Sequence, residues 1–176
     1  MSTFMSAPLT NEQNIEVFQF RAGSIVGVTA LALLLQAFLP VYFPRMRMLD
    51  LPLLITIYFG FSRRNPSTGL LMGATIGLIQ DSLGRSPLGL FGIAKTLVGF
   101  LASSLGSRID VENPISRLGL AVGFYLFHQA VYILTRRWLL GQPEPILSTQ
   151  LWIAAAVNGV LAVLIFPLLD HLRKPS

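Results

Sequence analysis

Asp81, Lys95 and His128 are ionisable side chains set inside long apolar stretches of a 176-residue chain. In hydrocarbon such groups are costly, so they turn towards protein, pair with one another or mark an ion or proton path. A histidine beside a carboxylate could relay protons, and all three meeting around water would make a proton-coupled carrier. The plainer reading of each is a buried, hydrogen-bonded group. Gln80, Gln129 and Asn158 are further polar candidates in apolar surroundings. Asp81 and Lys95 flank the breaker-dense turn Leu83-Gly84-Arg85-Ser86-Pro87-Leu88-Gly89 from opposite sides. In an antiparallel pair of helices they would lie about 5 Å and about 12 Å from that turn. Two arrangements stay open: an ion pair across the hairpin, or a lysine snorkelling without a fixed partner.

No catalytic pattern accompanies these groups. There is no HExxH, no Gly-x-Ser-x-Gly, no Walker loop, and no carboxylate cluster of the kind that holds metal for phosphoalcohol transfer. His128 and His171 are too far apart and too differently placed to suggest a metal site. Without cysteine there is no disulfide, thiolate metal site or cysteine nucleophile. The expectation is a non-enzymatic chain with no cofactor.

The element that must position Asp81 is the stretch from Gly69. Glycine recurs at 69, 73 and 77, and the next place in that series is Asp81. A step of four returns to nearly the same helix face, drifting by roughly 40°. Small residues four apart in an apolar helix let a neighbouring helix approach closely, so this stripe predicts a packing face ending in a carboxylate. Gly119 and Gly123 repeat the spacing later in the chain.

Composition sets the surroundings. With 53% hydrophobic and 12% charged residues and a mean hydropathy of +0.65, the chain lacks the polar surface to cover a soluble globule. We read a polar tail over 1–21, with a capping-box spacing at Thr10-Asn11-Glu12-Gln13, a single membrane domain over 22–170, and a short basic tail over 171–176. Six apolar segments are expected: about Gly23–Phe43, Leu49–Ser62, Ser67–Leu83, Leu88–Leu105, Arg117–Thr135 and Ile146–Leu169. The second, beginning Asp50-Leu51-Pro52, is short enough to be re-entrant or to need a thinned bilayer. The fifth should stop at Arg136-Arg137-Trp138. Trp138 and Trp152 lie near segment ends, where indoles favour headgroups.

The net charge of +5 is spread over the breaks between segments, which suits anionic lipid headgroups rather than nucleic acid. For six crossings, seven Lys and Arg fall on the side of the termini and five on the other, with Lys95 completing the 13. The positive-inside rule then puts both termini in the cytoplasm, by a narrow margin.

The run from Gly77 through Gln80-Asp81, the turn and Pro87-Leu88-Gly89-Leu90 resembles the signature region of the rod-shape-determining MreD family. Leu49-Asp50-Leu51-Pro52-Leu53-Leu54 is similar to the start of that family's second helix. The resemblance extends over the number and order of segments from about Gly23 to Leu169, although Lys95 and the long tail depart from it. It implies an all-α bundle in the bacterial inner membrane, a scaffold of the cell-elongation machinery. The implied partners are MreC, the MreB filament and the peptidoglycan polymerase–transpeptidase pair. The fold it implies is similar to the substrate-binding subunits of energy-coupling-factor vitamin transporters, which supplies the alternative of a vitamin-binding subunit. A vitamin binder needs a pocket of convergent polar groups, and few polar residues are expected near the exposed ends of the bundle.

Overall fold

The computed structural model describes residues 22–84, 87–106, 113–142 and 148–172. The tail with its capping box, the Arg85-Ser86 step, residues 107–112, residues 143–147 and the closing Arg173-Lys174 lie outside them. Six α-helices follow one another: α1 (Ala22–Tyr42), α2 (Leu51–Arg63), α3 (Pro66–Gly84), α4 (Leu90–Leu105), α5 (Pro114–Leu140) and α6 (Thr149–Asp170). A short 3-10 helix, Pro44–Met48, links α1 to α2. Among the described residues there is no strand.

The bundle is built around α2, which touches each of the other five helices. Every residue from Pro52 to Ser62 is buried, as a helix apolar on all faces requires. Asp50 caps its start, its carboxylate accepting from the Leu53 N–H at 3.0 Å. Arg64, in the left-handed conformation at φ 51°, ends it. Its 13 residues make about 20 Å, short of a bilayer core of about 30 Å. The helix runs on from the 3-10 end of the bundle towards the opposite end and does not turn back.

The glycine stripe is spent inside the molecule. Gly69 faces Gly99 and Ser103, Gly73 faces the backbone of Lys95 and Thr96, and Gly77 faces Phe91 and Gly92. A Cβ on Gly73 would lie 2.6 Å from the Lys95 carbonyl carbon, and one on Gly77 would lie 2.7 Å from the Gly92 Cα. No side chain fits there, so α3 and α4 meet backbone to backbone. Gly119 and Gly123 do not repeat this: a Cβ on either would meet nothing within 4 Å, and they line an open groove on α5. The spacing is the same, but no described helix lies across it.

Among the described residues, three helices are long and apolar enough to cross a membrane: α1 from Gly23, α5 and α6. Helix α4 is apolar but has only 16 residues, while α3 is diluted by its glycines, Thr68, Thr75, Gln80 and Asp81. The long helices point large apolar side chains outward, among them Leu34 and Phe38 of α1 and Val160, Leu164 and Leu168 of α6. In water such surfaces would drive association; towards lipid they are the stable arrangement. Helix α5 outruns its expected bounds at both ends. Asn113 caps it early, and the chain stays helical past Arg136-Arg137-Trp138 until Gly141 turns at φ 63°. Arginine ends an apolar stretch without ending a helix.

Candidate functional site: a buried polar cluster at the 3-10 end

The centre of the cluster is an ion pair. Lys95 Nζ donates to Asp50 Oδ2 at 2.7 Å, and both residues are buried, Lys95 completely. Helix α4 aims Lys95 at the start of α2, forty-five residues back, and not at Asp81 in the neighbouring turn. The ammonium also lies 3.4 Å from His128 Nε2 and 4.9 Å from the centre of the Phe91 ring. Phe91 is stacked between His128 and Tyr132, and the three rings wall the pair off on the side of α5. Lysine offers only donors, so His128 must present the Nε2 lone pair to it and carry its own proton on Nδ1. That Nδ1 is buried without a partner.

Asn158 of α6 ties the same point from the other side. Its Oδ1 accepts from the Asp50 N–H at 2.9 Å, and its Nδ2 donates to the Met48 and Ala154 carbonyls at 2.7 and 2.8 Å. Gln36 of α1 donates to the Leu49 carbonyl at 2.9 Å and accepts from the Leu51 N–H at 3.1 Å. Thus α1, α4 and α6 fasten directly to Met48, Leu49, Asp50 and Leu51 at the start of α2, and α5 joins through His128 and Lys95. Asp50 read in the sequence as a helix start; its carboxylate is the hub. The one local signal was an acid at an N-cap in an otherwise apolar segment.

Asp81 does a different job. Its Oδ2 accepts from the N–H groups of Gly89 and Gly92 at 2.9 and 3.1 Å, and its Oδ1 from that of Phe91 at 3.1 Å. It therefore satisfies the orphan donors at the start of α4, where the helix dipole also favours a negative charge. Gly89 makes this possible at φ 102°, and the Pro87 carbonyl accepts from Leu90 to close the turn. The three residues of a proton-coupled carrier do not converge: Lys95 and His128 meet, while Asp81 is committed to backbone. Gln80 is buried with its amide oxygen unpaired. Gln129 donates to the Tyr125 hydroxyl at 3.0 Å.

Two features had no sequence signal. At the far end, Asp170 accepts from Tyr58 Oη at 2.9 Å and from Arg117 Nη2 at 2.6 Å, joining α2, α5 and α6. At the 3-10 end, an open cleft of about 530 Å³ is lined by Arg47, Tyr125, Gln129, Ser148 and Gln150 among others. Polar groups do therefore gather at an exposed end of the bundle, contrary to the sequence expectation. They come from three separate segments that only the fold brings together.

An all-helical bundle with an apolar exterior, whose interior charges are consumed in helix-to-helix bonds, is a membrane protein built to hold one shape. The family model for rod shape-determining protein MreD matches residues 17–172, and the chain belongs to that family. Membership places it among proteins that determine rod shape. No curated protein and no solved structure matches the chain.

Proposed function

We propose that the protein is a non-enzymatic scaffold subunit of the cell-elongation complex in the bacterial inner membrane. It binds MreC and helps couple it to peptidoglycan synthesis and to the MreB filament, in contact with anionic lipids. The observation that carries this reading is the use of Asp50, Lys95, Asn158 and Asp81 as ties between helices, which makes a stiff frame for partners. In this reading all six helices cross the membrane in alternation and both termini are cytoplasmic, so the 3-10 end faces away from the cytoplasm. Single cysteines at Ser2 and Ser176, in a chain with no native thiol, test it by labelling from either side. Opposite locations for the two ends would refute it. The role itself is tested by purification in mild detergent with identification of what comes along: MreC in stoichiometric amount supports the scaffold.

The cleft at the 3-10 end favours a second reading, a small-molecule-binding subunit with the fold of the energy-coupling-factor type. Its volume falls in the range of ligand pockets. A vitamin that raises the melting temperature at low micromolar concentration would establish that reading and displace the scaffold.

A further inference from the structure

A second concavity lies outside the cluster, between α1 and α3, which run parallel. Its lower part, about 350 Å³, is lined by Ile25, Ala30, Leu33, Met72 and Ile76 among others and offers almost no polar surface. Its upper part, about 330 Å³, includes Gln36, Pro40, Arg47, Gln80 and Phe91. Leu33 lines both, so the two hollows adjoin along α1, and together they make the trough. From Ile25 to Pro40 it extends about 22 Å.

The chemistry of the trough is graded. It is apolar in its lower part and polar in its upper part, where Arg47 is exposed and makes no ion pair among the described residues. Arg45 is exposed on the same 3-10 helix. Gln80 also lines the upper part; it is 8% exposed and its buried amide oxygen has no partner. Gln36 is already engaged with the start of α2 and has nothing to spare. A cation without an ion pair among the described residues, at the head of an apolar groove, suits an anionic group joined to a hydrocarbon chain. One leaflet of the hydrocarbon core is about 15 Å thick, so an acyl chain entering beside Arg47 fits within the trough.

We propose that this trough binds one anionic phospholipid, for which phosphatidylglycerol serves as the probe. The phosphate sits against Arg47, and one acyl chain lies between α1 and α3. The site does not depend on which proteins the bundle assembles with.

Native mass spectrometry of the full chain in mild detergent tests this, with phosphatidylglycerol or phosphatidylcholine of identical chains added stepwise. The expected result is one phosphatidylglycerol retained in preference to phosphatidylcholine. Arg47→Gln should weaken phosphatidylglycerol about tenfold and leave phosphatidylcholine nearly unchanged. Ala30→Trp, which fills the apolar part, should abolish retention of both lipids while circular dichroism keeps its helical signal. Equal retention of the two lipids by the native protein would overturn the proposal, as would unchanged phosphatidylglycerol binding in either variant. Inorganic phosphate competing as well as the lipid would reduce the site to an anion contact and refute the acyl trough. A native dimer that Ala30→Trp turns into a monomer would give the trough to a second copy instead.

Discussion

Lys95→Met and Asp50→Asn, alone and together, probe the hub of the bundle. Removing the ammonium 2.7 Å from Asp50 Oδ2 leaves a carboxylate that is 6% exposed with the Leu53 backbone N–H as its remaining hydrogen-bond donor. Stranding one member of a buried pair costs about 3–5 kcal/mol. The loss has a ceiling, because an ordinary carboxyl can be protonated at pH 7 for about 4 kcal/mol. We therefore expect Lys95→Met to cost about 3–4 kcal/mol. Asp50→Asn should cost less, about 2–3 kcal/mol, since asparagine still caps Leu53 and the ammonium keeps His128 and the Phe91 ring. The double variant buries no charge and retains the lysine's bulk, so it should cost about 1 kcal/mol. The coupling between the sites is then at least about 4 kcal/mol. Reversible unfolding in mixed micelles measures all three. Single variants that each cost under about 1 kcal/mol, or that simply add in the double, would refute the reasoning.

Three further outcomes follow from the geometry. Gly73→Ala should destabilise strongly, because its Cβ collides with the Lys95 carbonyl, whereas Gly123→Ala should be neutral or stabilising by up to about 1 kcal/mol; the same unfolding assay ranks them. Asp81→Ala removes acceptors for three N–H groups and should be clearly worse than Asp81→Asn, which keeps one acceptor oxygen; amide exchange at Gly89, Phe91 and Gly92 should quicken in both. Leu71→Ala should cost little by comparison, since Leu71 is 64% exposed on the outer side of α3; a loss matching that of Gly73→Ala would place Leu71 in a contact the bundle does not make.

The parts of this structure legible in the sequence are those fixed by local periodicity. Glycines four apart announce a close helix contact because their lack of side chains is visible at any distance from the partner. The same signal at Gly119 and Gly123 predicts a contact that no described helix makes, since spacing shows a face and not what covers it. Asp81 was legible as a carboxylate turned to protein. Its role as a cap on α4 was not, because that depends on the conformation of Gly89 beyond the turn. Lys95 lay near one acid in sequence and found another in space, and Asn158 meets Asp50 across 108 residues. Such ties depend on the order in which helices surround α2. That order is hidden, because an apolar helix has one composition whether lipid or protein covers it.

The scaffold reading is tested most directly by depletion in the native host. The chromosomal copy is placed under an inducible promoter, the inducer is withdrawn, and cell width and sidewall peptidoglycan incorporation are followed by microscopy. The account predicts that cells widen and round up as the protein is lost, that sidewall incorporation falls with it, and that the native gene restores both. It further predicts that Gly73→Ala fails to restore shape in proportion to its loss from the membrane, whereas Gly123→Ala reaches normal membrane abundance. Cells that keep their rod shape and sidewall growth after the protein has disappeared would contradict it.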